Sequence, residues 1–566
     1  MGVAMTTSGD RRQWWDVKVA MRDGVELSAD IYFPEGGADA GPYPAVLART
    51  PYDNQHPVYV ADARYLAKHG YVVVLQDVRG RHDSDGEWVP FRNEGADGYD
   101  TVEWLAAQPW CSGRVGTFGG SYGGWTQWAM AREKPPSLTT MVTTAAAGAW
   151  MQELPWHNGI LMLVTLGWLN LAGGRTVQNA ELVDNWPDIF RHLPLREMDA
   201  ALGRDLGTWR EWVDHPTLDD YWRELRLDDD FAHMDIPALH VTGWYDADQP
   251  GALFFHRGMT TASSRSADQF IVIGPWNHAG TRVPSRTTGG VDFGAAAEMD
   301  VRDLHRKWYD RWLKDDACAQ PLPQRARLFL TGANRWLDAP SWPPPRTTVD
   351  RWYLRGGGCA NTMAGDGRLD VRAPETGEPA DRYDYDPADP VPSVVDENFY
   401  AANAVETPLD RRFQHRRDDV LVYTGAPSDG DVLLVGIPEL HLFAASDGAD
   451  TDWFFSIHDV SPTGSSIQLS EGRLRARYRE SLQEQRLLDP GTTHEFTIAG
   501  TAIGHVLKAG HSLRLAVTSS DFPTWDRNPN TGEPIGTATE FRVAVNTVRH
   551  EPGAASYLAI PTGYDT

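Results

Sequence analysis

Short, continuous apolar runs that alternate with helical periodicity dominate the first 150 residues. The runs are AVLAR, YVVVLQ and VGTFGG, and a stretch of helical spacing follows each of them. Strands that are apolar on both faces indicate a parallel sheet covered by helices on both sides. Ahead of these runs, two alternating segments flank Arg22-Asp23-Gly24, a turn that predicts an antiparallel hairpin. The chain therefore begins as an α/β domain.

The alternation of apolar runs with helical spacing stops near residue 149 and resumes near residue 236. Residues 149–235 lack strand-like runs and carry Trp and Leu at helical spacings, which predicts a helical insertion. The prolines of LDAPSWPPP, around residue 340, cannot continue a helix, and β-rich runs follow them. The sequence thus predicts a discontinuous α/β core (1–148 and 236–340), the helical insertion, and an all-β sandwich or jelly roll (341–566).

Charge and cysteine content narrow the class of protein. The chain of 566 residues has 52 Lys and Arg against 78 Asp and Glu, a net charge of −26. This charge repels phosphate backbones and anionic headgroups, so we expect no nucleic-acid or membrane partner. Cys111, Cys318 and Cys359 form neither a disulfide framework nor a zinc motif, and the N-terminus lacks a secretory apolar region. We expect a cytoplasmic protein. The sequence does not decide between a monomer and a homo-oligomer.

The segment GGSYGG, residues 119–124, follows the strand VGTF and precedes the helical stretch WTQWAMARE. Strand, small-residue turn and helix form the context of a nucleophile elbow, in which glycines relieve crowding around a strained serine. Ser121 would project from this turn as a nucleophile. The alternative is a solvated serine in a flexible glycine-rich turn.

A serine nucleophile requires a histidine base and a carboxylate that fixes the histidine tautomer. Asp246 follows ALHVTGWY and His278 follows QFIVIGPWN, each at a predicted strand end. Either residue alone would more simply be a solvated loop residue, but their order and joint placement are typical of an α/β-hydrolase. The sequence favours a Ser121, Asp246 and His278 triad. Because no phosphate-binding loop, dinucleotide motif or metal-ligand set is present, we expect no cofactor and no metal.

At these residues the chain resembles the cocaine-esterase-like hydrolases, which are related to X-Pro dipeptidyl-peptidases and α-amino-acid ester hydrolases. The resemblance extends over nearly the whole chain. It rests on MRDGVELSADIYFP, RTPYDN, QDVRGRHDSDGEW, GGSYGG, GWYDA, GPWNH, DYDPADPVPS and DRNPNTG, in the order of the family. It implies an α/β-hydrolase core, an inserted helical cap, a C-terminal jelly roll and the same triad.

The resemblance also implies roles for four further residues. Tyr52 matches the tyrosine whose hydroxyl forms the family's oxyanion hole together with a backbone amide, here that of Tyr122. Trp156 and Trp168 are similar in position to aromatic residues of the acyl pocket. Packing within the protein is the alternative for the Tyr52, Trp156 and Trp168 side chains.

The chain departs from the esterase pattern at Asp248, two residues beyond Asp246, where the esterase has an aromatic residue. In α-amino-acid ester hydrolases a carboxylate at this offset helps to hold the substrate's ammonium group. The next position is Gln249 rather than a second acid. Asp248 is therefore either an amine-binding residue or a solvated surface residue.

Together these observations predict a serine hydrolase that cleaves an ester or amide bond of a small molecule through an acyl-enzyme. The first alternative is an aminoacyl ester hydrolase, β-lactam acylase or aminopeptidase that recognises a substrate amine. The second is a carbohydrate-binding protein with a vestigial hydrolase core. We also predict that Asp526, Arg527 and Asn528 form a polar network between the β domain and the core.

Overall fold

The computed structural model describes residues 12–393 and 408–563. Its first part opens with the predicted hairpin and continues as alternating strands and helices. The elements are β1 (Gln13–Ala20), β2 (Glu26–Tyr32), β3 (Tyr43–Thr50), α1 (Pro57–Lys68), β4 (Val72–Asp77), α2 (Glu94–Ala106), β5 (Cys111–Gly120), α3 (Tyr122–Arg132) and β6 (Leu138–Thr144).

The segment that follows is mostly helical. It contains β7 (Trp156–His157), β8 (Ile160–Leu161), α4 (Val164–Ala172), α5 (Trp186–Arg191), α6 (Met198–Ala201), α7 (Gly207–Asp214) and α8 (Asp220–Arg223). The prediction that this segment lacks strands is wrong at β7 and β8, which pair antiparallel. Asn158 and Gly159 join them with φ of 50° and 86°, as a tight hairpin turn requires. Two-residue strands are too short to show alternation in the sequence.

The chain then returns to the first sheet. The elements here are β9 (Ala238–Tyr245), α9 (Gln249–Ala262), β10 (Gln269–Asn277), β11 (Thr287–Thr288), β12 (Val291–Asp292), α10 (Val301–Leu313), β13 (Ala326–Leu330) and β14 (Arg335–Ala339). The sheet has the order β1-β2-β4-β3-β5-β6-β9-β10-β13-β14. It is parallel from β4 to β13 and antiparallel at both edges, so the sheet is mixed.

Strand β4 shows why the central strands are continuously apolar. Val73 and Leu75 pack with residues of α1 and α10 on one face of the sheet. Val72 and Val74 pack with residues of α2 on the other face. All four side chains are almost completely buried, as expected for a strand between two layers of helices.

The C-terminal part is a β domain. Its strands are β15 (Thr348–Arg355), β16 (Arg368–Asp370), β17 (Asp381–Tyr385), β18 (Leu421–Gly425), β19 (Val432–Gly436), β20 (Glu439–Ser446), β21 (Asp452–Val460), β22 (Ser466–Arg475), β23 (His494–Ala499), β24 (Ile503–Leu507), β25 (Ser512–Thr518), β26 (Ala544–Val548), β27 (His550–Glu551), β28 (Ala554–Ala555) and β29 (Tyr557–Thr562). Thirteen of these strands form one sheet, and β27 and β28 pair separately.

The predicted polar network around Asp526 is present and fully buried. One Asp526 carboxylate oxygen accepts a hydrogen bond from the Leu161 amide at 2.8 Å, and the other accepts from Arg475 at 2.9 Å. Arg475 also pairs with Asp452 at 2.8 Å. The network therefore joins the β domain to the helical segment, whereas the sequence analysis expected its partner in the core. Buried charges require such pairing.

No helix in residues 12–393 and 408–563 combines the length and apolar character needed to cross a membrane.

Candidate active site

The serine of GGSYGG lies at a strained turn. Strand β5 ends at Gly120 and helix α3 begins at Tyr122, and Ser121 between them has φ 62° and ψ −125°. Non-glycine residues rarely adopt this conformation, and its cost is of the order of 1–3 kcal/mol. The Ser121 amide holds the turn by donating to the carbonyl oxygens of Thr144 and Ala145, at 3.0 and 2.9 Å.

Two glycines allow the turn to close. A Cβ atom at Gly119 would lie 2.7 Å from the carbonyl oxygen of Gly123, and Gly119 has φ 154°. A Cβ atom at Gly124 would lie 2.6 Å from the Cβ atom of Ala146. Side chains at either position would push α3 away from its neighbouring strands, so the glycines fix the position of Ser121.

The predicted aspartate and histidine form a pair. His278 Nδ1 lies 2.8 Å from Asp246 Oδ1, and Asp246 is buried. The second oxygen of Asp246 accepts from the hydroxyl of Thr242 at 2.8 Å. Arg282 Nη2 lies 2.8 Å from His278 Nε2. Because arginine only donates, Nε2 is the acceptor and Nδ1 carries the proton that is donated to Asp246.

Tyr52 follows the end of β3 and lies beside Ser121. Its hydroxyl contacts the Ser121 side chain and accepts a hydrogen bond from Trp168 Nε1 at 2.9 Å. Burial raises the pKa of Tyr52 to about 12. The phenol therefore keeps its proton at neutral pH and can donate it in a hydrogen bond.

The Tyr122 side chain lies in a separate buried network. Its hydroxyl donates to Glu94 Oε1 at 2.7 Å and accepts from the Phe91 amide at 2.9 Å. Because Tyr122 is the first residue of α3, its own amide has no acceptor within the helix. The network anchors the residue and leaves the amide at the turn next to Ser121.

The two predicted pocket tryptophans differ in position. Trp168 is half-buried, contacts Tyr52 as described, and stacks on Tyr122 and Trp212 at ring distances of 6.2 and 6.1 Å. Trp156 has no exposed surface, and its Nε1 donates to the Trp212 carbonyl at 2.8 Å. Trp168 therefore lies at the site, and Trp156 packs behind the aromatic residues that line it.

Asp248 is 5% exposed, so the alternative of a solvated surface residue is wrong. Its amide donates to Asp246 Oδ1 at 3.1 Å, and its Oδ2 lies 3.8 Å from His278 Nδ1. The residue just before helix α9 is drawn back toward Asp246, which removes it from water. Two carboxylates thus face the same side of the imidazole.

Glu153 was not predicted from the sequence. This buried carboxylate accepts from the amides of Gly148 and Ala149 at 2.8 and 2.9 Å, and from the amide of Gly251 in α9 at 3.1 Å. It connects the start of the helical segment to the helix that follows Asp246. Burial raises the pKa of Glu153 to about 7, and repulsion from Asp246 acts in the same direction. No local pattern distinguishes this residue from any other Glu.

A serine at a strand-to-helix turn and a hydrogen-bonded histidine and aspartate pair that follow strands of the same sheet are both typical of serine hydrolases. Residues 23–280 match the family model described as X-Pro dipeptidyl-peptidase (S15 family). Residues 320–559 match the X-Pro dipeptidyl-peptidase C-terminal non-catalytic domain. The first match covers the first sheet from β2 to β10 together with the helical segment, and the second covers β13, β14 and most of the β domain.

Individual proteins similar to this chain agree with these family matches. The chain is 36% identical to the cocaine esterase of Rhodococcus sp. (strain MB1 Bresler) over 581 residues, which cover 96% of this chain and 98% of that protein. The crystal structure of an aminopeptidase from the marine sediment archaeon Thaumarchaeota archaeon matches with TM-score 0.88 and 26% identity, over 99% of both chains. An α-amino acid ester hydrolase structure matches with TM-score 0.88 and 27% identity, over 99% of this chain and 98% of that one.

The chain therefore belongs to the family of the cocaine esterase and the X-Pro dipeptidyl-peptidases, and it is a serine hydrolase.

Replacing Glu153 by Gln tests its titration. The pKa of Glu153 is raised from 4.5 to about 7 in the folded protein, so the folded state binds the proton more tightly. The stabilisation is present below pH 4.5 and is lost as the pH rises through 7, by about 3 kcal/mol in total. We expect the free energy of unfolding of the wild type, relative to Glu153→Gln, to fall between pH 5 and pH 8 in urea titrations.

The exposed Glu484→Gln variant is the control for loss of a carboxylate. A difference between wild type and Glu153→Gln that stays constant from pH 5 to pH 8 would contradict the raised pKa.

Proposed function

We propose that this enzyme hydrolyses a carboxylic ester or amide of a small molecule through an acyl-enzyme on Ser121. The Ser121 oxygen bonds to the carbonyl carbon while its proton passes to Nε2 of His278. As the bond to the leaving group breaks, His278 gives that proton to the leaving oxygen or nitrogen. Water then attacks the acyl-enzyme, gives a proton to His278, and releases the acid as the proton returns to Ser121. The observation that carries this proposal is the 2.8 Å hydrogen bond from His278 Nδ1 to Asp246, together with the strained backbone of Ser121.

Two donors would stabilise the oxyanion. The Tyr52 hydroxyl contacts the Ser121 side chain, and the Tyr122 amide begins helix α3 directly after the serine. Donors placed where negative charge develops act mainly on the transition state. The positive end of the α3 macrodipole acts in the same direction.

The architecture fits this chemistry. We infer that residues 1–148 and 236–340 form an α/β-hydrolase core, 149–235 a helical cap, and 341–566 a jelly roll. Residues 1–11, 394–407 and 564–566 of these ranges lie outside the described residues. The residues of the proposed site follow the carboxyl ends of parallel strands in the first sheet, which is where ligands bind in open α/β sheets. These residues are Tyr52, Ser121, Asp246 and His278. The aromatic side chain of Trp168, with Trp156 behind it, would form the wall of an acyl pocket.

A second candidate is hydrolysis of substrates that carry a free amine next to the scissile carbonyl. Two of the similar proteins are an aminopeptidase and an α-amino acid ester hydrolase. The buried carboxylate of Asp248 supports this candidate, because a buried anion near the site favours a cationic ligand. An aminoacyl ester hydrolase, a β-lactam acylase and an aminopeptidase share this requirement.

Replacing Tyr52 by Phe tests the proposed reaction. We expect kcat for a neutral aryl ester to fall by about 10²-fold with much less change in KM, because the lost hydrogen bond forms mainly in the transition state. Steady-state kinetics on the purified protein measure both constants, with Ser121→Ala as the inactive reference. Tyr99→Phe, on helix α2, is the matched control. A change confined to KM would make Tyr52 a packing residue.

Replacing Asp248 by Asn separates the two candidates. If the carboxylate binds an amine, the wild type should prefer an α-amino ester over its N-acetyl form by about 10-fold in kcat/KM. The variant should lose that preference. Equal loss of activity on both esters would show instead that Asp248 acts only through His278.

A further inference from the structure

Arg282 lies four residues after His278 and occupies the catalytic side of its ring. Its Nη2 donates to His278 Nε2 at 2.8 Å. The guanidinium also covers the backbone of the nucleophile turn, because a Cβ atom at Gly120 would lie 2.7 Å from Arg282 Nε. The cation is therefore placed between the imidazole and the residue that precedes Ser121.

The charge of Arg282 has no counterion on the part of the chain that the structure describes. No Asp or Glu oxygen among residues 12–393 and 408–563 lies within 4.0 Å of its guanidinium. By contrast, Arg286 on the same loop pairs with Asp292 at 3.0 Å. Arg282 is half-buried, and a partly desolvated cation without a counterion favours an anionic ligand.

The guanidinium faces a cavity that is lined by residues adjacent in sequence to Ser121 and His278. This cavity has a volume of about 500 Å³, and its lining includes Tyr52, Tyr59, Gly120, Asn277, Arg282 and Val283. It therefore extends from the proposed oxyanion donor to the cation. Its size suits a small organic molecule.

The chemistry of acyl transfer assigns this cation to one part of the substrate. His278 Nε2 delivers its proton to the leaving oxygen or nitrogen, so the leaving group lies against that nitrogen. Arg282 contacts the same nitrogen and is therefore on the leaving-group side. The planar guanidinium matches a carboxylate in geometry as well as charge.

We propose that Arg282 binds a carboxylate on the leaving group. The preferred substrates are then esters or amides whose alcohol or amine part is itself an acid. This assignment rests on the proposed function. It is compatible with either acyl-side candidate, since Asp248 lies on the opposite side of the imidazole.

Binding of the carboxylate also changes the hydrogen bonding of the proposed base, His278. Nε2 of a neutral histidine has one lone pair, for which the Arg282 N–H and the Ser121 hydroxyl compete. A substrate carboxylate that pairs with Arg282 draws the guanidinium away from Nε2 and leaves the lone pair to the serine. An anionic leaving group therefore raises kcat as well as lowering KM.

A pair of acetate esters tests this inference. The substrates are 4-carboxyphenyl acetate and the neutral 4-carbamoylphenyl acetate, and hydroxide-catalysed hydrolysis of the same pair corrects for intrinsic reactivity. We expect the wild type to prefer the anionic ester by about 10-fold in kcat/KM. Arg282→Gln should reduce the ratio to about one, and Arg282→Lys should give an intermediate ratio. Arg286→Gln, which removes the same charge from the same loop, should keep the wild-type ratio.

The wild type alone gives a second readout, independent of whether a variant folds. Its preference for the anionic ester should fall as salt rises from about 0.05 to 0.5 M, because salt screens the pairing. A corrected ratio near one in the wild type, or the same ratio in Arg282→Gln, would overturn the inference while ester hydrolysis stands. Hydrolysis of neither ester, together with no activity on other neutral esters, would overturn the proposed function and the inference with it.

Discussion

The strained backbone at Ser121 is the constraint on which the rest of the site depends. A φ of 62° at a non-glycine residue persists only where the surrounding structure holds it. Here two carbonyl oxygens, those of Thr144 and Ala145, accept from the Ser121 amide, and Gly119 and Gly124 allow close approach on both sides. The same turn places the next amide, that of Tyr122, at the start of a helix.

Charge is distributed unequally around the imidazole of His278. Asp246 and Asp248 lie on the Nδ1 side, at 2.8 and 3.8 Å, and Arg282 lies on the Nε2 side at 2.8 Å. The carboxylates favour the tautomer that the proposed reaction needs, because they accept or attract the Nδ1 proton. The guanidinium donates to Nε2 and so favours the same tautomer. Under the proposal for Arg282, a negative charge on the leaving group affects both binding and the availability of the Nε2 lone pair.

Local pattern in the sequence predicted Ser121, Asp246 and His278 as site residues, and the family resemblance alone added Tyr52. Tyr52, Ser121, Asp246 and His278 each follow a strand whose apolar run is visible in the sequence, and the parallel sheet brings their ends to one edge. Arg282 and Glu153 were not predicted, because no local pattern identifies them. Their positions depend on how loops fold back onto the sheet, and contacts such as Arg282 with Gly120, 162 residues apart, leave no periodic signal.

The burial of Asp248 also depends on a contact that the local sequence does not reveal. In the sequence, the position of Asp248 fits a solvated residue as well as a site residue, because a polar residue before a helix is common in both. Its burial results from the turn that returns the Asp248 amide to Asp246 Oδ1. The antiparallel edge strand β14 and the short β7 and β8 hairpin likewise come from pairing partners that no single segment encodes.

The proposed reaction requires Ser121 to be the activated nucleophile. The most direct measurement is labelling of the intact protein with one equivalent of a fluorophosphonate, followed by trypsin digestion and mass spectrometry. Only an activated serine reacts readily with this reagent. We expect a single adduct, on Ser121 within the peptide 115–132. An adduct on another residue, or an unlabelled protein that still hydrolyses esters, would contradict the proposed reaction.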